Sequence, residues 1–89
     1  MKAIVSVIGK DKKGIIAKVS NTLFQLSINI EDISQTVMQD YFTMIMLVDL
    51  SGTDCDFNAV SQKLQETAGD IGVEIHIQNE AIFNSMHRI

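Results

Sequence analysis

Gly9 and Gly14 have four residues between them, the spacing of a loop that cradles nucleotide phosphates in its backbone amides. Such a loop needs Lys and then Ser or Thr directly after the second glycine, to reach the phosphates and hold magnesium. Ile15 and Ile16 follow it here, so the half-match lacks the side chains that do the electrostatic work. The other reactive groups are isolated. Cys55, the one cysteine, lies between Asp54 and Asp56, whose carboxylates disfavour the thiolate a nucleophile requires. It cannot form an internal disulfide and is read as an inert loop thiol. His76 and His87 are eleven residues apart and, with Glu74, match no metal-ligand spacing, so no metal site is expected. With no nucleophile and base in reach of one another, the chain is not expected to be an enzyme, and no cofactor is expected.

The 89 residues fit one domain, and a chain of this size buries only about 60 to 65% of its unfolded surface, so a partner subunit would add stability. Apolar residues make up 46% of it, with no Pro and no Trp, a composition suited to a packed core. Seven basic residues against eleven acidic ones give a net charge of -4, which repels phosphate backbones and anionic lipid, so neither nucleic acid nor membrane is expected as a partner. The opening "MKAIVSVIG" runs straight into charge with no small-residue cleavage site and reads as a strand, not a signal. No run approaches the roughly 18 apolar residues of a membrane span. A soluble, cytoplasmic protein is expected.

Residues 3–8, "AIVSVI", are β-branched and largely apolar on both faces, the pattern of a central strand covered on more than one side. From Gly14 the period changes. Ile16, Val19, Leu23 and Leu26, flanked by Ile15, give an apolar stripe on a helix to about Ser27. Phe24 lies well round that helix, with Ala17 and Ser20, and this face is expected to form a dimer contact, because an exposed aromatic calls for cover. "INIEDISQTVM" and "FTMIMLVDL" read as strands joined by a two-residue turn at Gln39 and Asp40, the second more apolar and hence more central.

Asp54 or Asp56 is a capping candidate for a second helix carrying Phe57, Val60, Leu64, Ala68 and Ile71, which Gly72 ends. "VEIHIQ" alternates strictly, with Val73, Ile75 and Ile77 on one face. The tail "EAIFNSMHRI" can place Ile82, Met86 and Ile89 on one side of a short helix that must dock on something, since about ten residues are too few for a stable isolated helix. The order β-α-β-β-α-β predicts an α+β, ferredoxin-like sandwich: a four-stranded antiparallel sheet, both helices on one face, and a short C-terminal helix. Residues 1–78 form the expected domain and 79–89 the tail.

That plan hosts unrelated activities, so the residues must choose among them. An RNA-recognition motif needs exposed aromatics on its central strands, and strand one has none. A soft-metal chaperone needs two cysteines near the first loop. An acylphosphatase-like hydrolase needs an arginine there to clamp phosphate, and the only arginine is Arg88. By contrast "GKDKKGIIAKVSNTLFQLSINIEDIS" resembles the ACT domain, the small-molecule-sensing module of amino-acid metabolism. The shared features are an acidic residue, a Gly opening helix one, two aliphatics, a Val three residues on, and an "INI"-like start to strand two. Lys13 replaces the Pro that many members carry. The tail is similar to that of small, free-standing bacterial ACT proteins related to the tandem-ACT regulator of glycine cleavage.

The resemblance implies a regulatory domain that dimerises, binds an amino acid or related metabolite, and signals to a partner protein. The niche would be built from Asp11, Gly14 and Ile15 at the first loop and Asn29 and Ile30 at the start of strand two, shared between subunits. The chemistry is compatible. Gly14 lets a ligand approach the backbone, the first helical amides can bind a carboxylate, Asp11 can take an ammonium group, and Asn29 both donates and accepts. Each residue also has a plainer role: Gly14 in a turn, Asp11 as a cap or a solvated charge among Lys10, Lys12 and Lys13, Asn29 as a strand-opening residue. The alternative function is a protein interaction module without a metabolite.

Overall fold

The computed structural model describes residues 1–10 and 14–81. Six elements follow in order: β1 (Lys2–Lys10), α1 (Ile15–Gln25), β2 (Asn29–Met38), β3 (Tyr41–Asp49), α2 (Phe57–Ile71) and β4 (Glu74–Asn79). They form one antiparallel sheet, ordered β2-β3-β1-β4, with both helices against one face. This is the ferredoxin-like α+β architecture, with the two most apolar strands at its centre. The tail helix expected over residues 79–89 lies almost wholly outside the described residues. Of the tail only residues 79–81 are described, and there the Ala81 N–H donates to Asn79 Oδ1 at 2.8 Å.

Alternation assigns the faces. Ala3, Val5 and Val7 of β1 lie opposite Val48, Met46 and Met44 of β3 and are all fully buried under the helices. From α1 the core receives Ile15, Val19 and Leu23; from α2, Val60, Leu64 and Ala68; from β4, Ile75. One expectation is corrected. The core stripe of α1 begins at Ile15, and Ile16 is 39% exposed. Ile15, Val19 and Leu23 at four-residue spacing drift about 40° per step and stay over the sheet, while Ile16 is turned a further 100° toward the β2 flank.

A second correction concerns β1. Its other face, read as covered, carries Ile4, Ser6 and Ile8 on the side of the sheet away from the helices, where no described element lies over them. Helix packing supplies one layer only, so the apolar residues on that face have no cover within the described chain.

The local stops and starts have visible causes. Asp56 accepts the Ala59 N–H through Oδ1 at 2.8 Å and caps α2, and Gly72, at φ 68°, ends it. Gln39 takes φ 53° in the two-residue β2–β3 turn, as a tight hairpin requires of its first central residue. The helices are tied by a 2.6 Å contact between the Thr22 and Thr67 hydroxyls, each also 3.1–3.2 Å from a carbonyl of its own helix, Lys18 O and Lys63 O. Two hydroxyl protons serve three acceptor positions, so one of the two intrahelical bonds is always given up.

Candidate functional site

β1 ends at Gly9 and Lys10, where β3 begins at Tyr41 and β2 ends at Met38, so the first turn of α1 sits at that end of the sheet. Gly14 has φ 85° and ψ 3° and precedes the helix without a side-chain cap. A Cβ built there meets nothing within 4 Å. The glycine is therefore demanded by backbone conformation, and the space beside it is open. The Gly14 carbonyl accepts the Lys18 N–H at 2.9 Å, whereas the N–H groups of Ile15, Ile16 and Ala17 find no acceptor among the described residues. Helix-start amides with no acceptor among the described residues, at the positive end of a helix, make a surface suited to a carboxylate. Asp11 falls outside the described residues.

Below the same end lies a hollow of about 440 Å³ lined by Ile8, Gly9, Lys10, Tyr41 and Gly72–Glu74. Gly9 makes the close approach possible: a Cβ on it would lie 2.5 Å from Val73 Cγ1. Ile15 packs here too, with its Cδ1 3.7 Å from that position.

Asn29 and Ile30 are elsewhere. Asn29 pairs with Asp49, which pairs with Lys2, so it lies at the far end of the sheet. The ten residues of β2 separate it from the Gly14 end by about 30 Å. Within one chain, then, Gly14 and Ile15 come together and Asn29 and Ile30 come together, but the two pairs do not meet. Asn29 is exposed and Ile30 half-buried opposite Val48. A bulge at Glu31 follows, and Glu31 Oε1 accepts from Lys2 Nζ at 2.7 Å.

Ala17, Ser20 and Phe24 do share one face of α1, on the flank away from α2, and Phe24 is 80% exposed. Sequence reasoning missed that Ile16 adjoins this face and that β2, the neighbouring edge strand, turns Ile33 and Val37 to the same side of the sheet, with Val37 66% exposed. The signal was present as apolar residues in an otherwise polar strand, but only the strand order identifies β2 as an open edge. The opposite edge is partly occupied, since Gln65 Nε2 donates to the Ile75 carbonyl at 2.6 Å.

No group of three or more His, Cys, Asp or Glu among the described residues is placed to hold a metal ion, and none of their helices is long and apolar enough to cross a membrane. An ACT-domain family model matches residues 2–78. A UPF0237 protein of Clostridium acetobutylicum is 60% identical over 89 residues, the full length of both chains. An ACT domain protein from Streptococcus pneumoniae superposes with a TM-score of 0.83 at 46% identity over 93% of each chain. A chain reported as a glycine cleavage system transcriptional repressor shares the fold, with a TM-score of 0.75 at 21% identity over 86% of this chain and 44% of that one. The family model spans nearly the whole described fold, the relative is similar over its full length, and the chain belongs to the ACT-domain family.

Proposed function

We propose that this ACT protein is a cytoplasmic metabolite sensor that works as a two-fold dimer, binds an amino acid or a close relative, and reports occupancy to a partner protein. The observation that carries the reading is the Gly14 turn. It leaves three helix amides, with no acceptor among the described residues, beside open space at one end of an edge strand whose other end bears Asn29.

Antiparallel pairing of β2 with β2 of a second chain about its midpoint sets Asn29 of the partner subunit beside Met38, at the Gly14 end. The approximately 30 Å separation within one chain then becomes proximity between two. In that arrangement the helix amides take the ligand carboxylate, the amide of Asn29 from the partner subunit bridges its polar groups, and Asp11 is available for an ammonium group. The exposed Phe24 flank packs against its two-fold mate. Occupancy changes the dimer only as far as the ligand prefers one arrangement of the subunits over another.

The test is a thermal-shift screen of the purified protein against the twenty amino acids and common nucleotides, repeated with Asn29→Ala. At a hundred times its dissociation constant a ligand stabilises the fold by about 2.7 kcal/mol, several degrees in a domain this small. A shift that disappears in the Asn29 variant supports the sensor. No shift with any compound at millimolar concentration abandons it in favour of the interaction module.

A further inference from the structure

On the helix side of the sheet, the layer formed by the described helices stops short at the end away from Gly14. Ile75 and Ile77 of β4 lie opposite Val7 and Val5 and so face the helices, yet Ile75 is 1% exposed and Ile77 only half-buried. α2 passes into β4 through the short turn at Gly72, so its first residue, Phe57, lies near the end of β4 and the helix does not reach beyond it. What remains is a hollow of about 270 Å³ lined by Met1, Phe57, Ile77, Gln78 and Asn79. Its surface is almost wholly apolar, and no charged side chain lines it. Such a hollow offers little to an ionised metabolite and suits aliphatic side chains.

The chain leaves the sheet at the rim of this hollow. Asn79 pairs with the buried Ala3, which turns its side chain to the helix side. There Oδ1 accepts the Ala81 N–H at 2.8 Å, and Glu80 and Ala81 take helical backbone. An Asn whose side-chain oxygen takes the amide two residues on stands in the position of a helix N-cap, and Glu80 sets a carboxylate at the positive end of the helix so begun. Continued at the helical period, the sequence puts Ile82, Met86 and Ile89 within about 60° of one another, with Phe83 on their flank. His87 and Arg88 fall outside that stripe.

We infer that the hollow is the seat of the chain's own tail, which runs on from the Asn79 cap as a helix and lays Ile82 and Met86 against Phe57, Ile77 and Met1. Three observations together select this occupant. Ile82 comes three residues after a residue of the rim, less than one helical turn, so closing the contact costs little chain entropy. The stripe and the hollow match in kind, apolar on apolar with no charged side chain on either. A helix of about ten residues is marginal in water by itself and is held by the surface it packs on. A foreign peptide would have to displace a segment present at an effective concentration on the order of millimolar. The β2 edge lies on the far side of the sheet, so the inference is independent of the dimer proposed above.

Methyl NMR of the full chain, labelled at Ile Cδ1 and Met Cε, tests the contact from both sides. The comparisons are a chain ended after Ala81, the double variant Ile82→Ser with Met86→Ser, and Phe57→Leu, each checked for folding by circular dichroism. The Ile77 resonance should move in the first two, while those of Ile8 and Ile45, on the opposite face, stay in place. Melting temperature should fall by about 5–10 °C in the double variant. Phe57→Leu keeps an apolar wall and removes only the ring, and it should move the Met86 resonance even if the double variant does not fold. Shifts at Ile8 and Ile45 with Ile77 unmoved would put the tail on the open face of the sheet and overturn the inference. Unchanged resonances and an unchanged melting temperature would mean that the tail docks nowhere, and an Ile77 shift that grows with protein concentration would give the hollow to the tail of a second copy; either result also overturns it.

Discussion

At the scale of single residues, two glycines do different work, and the difference is measurable. Gly14 is fixed by its positive φ with nothing close by, whereas Gly9 is fixed by Val73, whose Cγ1 would lie 2.5 Å from an added Cβ. Gly9→Ala should destabilise the fold by about 1–3 kcal/mol through overpacking. In Gly9→Ala combined with Val73→Ala much of that loss should return, a coupling visible in a urea-denaturation cycle; simple additivity would remove the clash as the cause. Asp49 offers a pH handle. Its carboxylate accepts the Ser51 N–H at 3.0 Å, and this backbone bond, aided by the Ser51 side chain, holds its pKa below the ordinary value of 3.8. The folded pKa lies below the unfolded one, so the stabilisation is present above the unfolded value and is lost as pH falls through the folded value. Melting temperature should therefore fall on acidification below about pH 4, and less steeply in Asp49→Asn. Parallel acid limbs for the two proteins would show that Asp49 contributes nothing.

At the scale of elements, the two helices are begun in opposite ways. α2 is capped by Asp56 and closed by Gly72, so its ends are settled by local chemistry. α1 has neither a side-chain cap nor an acidic residue in its first turn, and holds its place by packing Ile15, Val19 and Leu23 on the sheet. Asp56→Ala should accordingly cost about 1 kcal/mol in chemical denaturation, the usual value of a cap. A change below a few tenths would mean that α2 is held by its buried face alone. The uncapped start of α1 is a structural weakness with a use, since a cap would occupy the amides that the proposed ligand needs. The strands show a similar division. β2 and β4 are both edges, but the Ile75 carbonyl on β4 already accepts from Gln65, and β2 stands beside the exposed Phe24 flank. That asymmetry is what nominates β2 as the edge for pairing.

At the scale of the whole molecule, a site divided between chains predicts complementation. Each proposed site takes Gly14 from one subunit and Asn29 from the other. Co-refolding Asn29→Ala chains with Gly14→Val chains should restore about a quarter of the sites, because half the dimers are mixed and each mixed dimer has one intact site. Isothermal titration measures this directly, and no recovered binding would mean that the site is not shared. The sequence by itself determined the element order, the turns at Gln39–Asp40 and Gly72 and the exposed Phe24 flank, and narrowed the α2 cap to Asp54 or Asp56, of which the structure uses Asp56, because these depend on periodicity and local backbone chemistry. The choice of Ile15 over Ile16 for the core was not legible, since neighbouring isoleucines differ only in their angle to a sheet the sequence does not show. Only tertiary structure decided that Gly14 and Asn29 lie at opposite ends of one sheet, and that no described element covers the apolar second faces of β1 and β3. Both facts depend on strand order and direction, which bring together or hold apart residues that no local pattern relates.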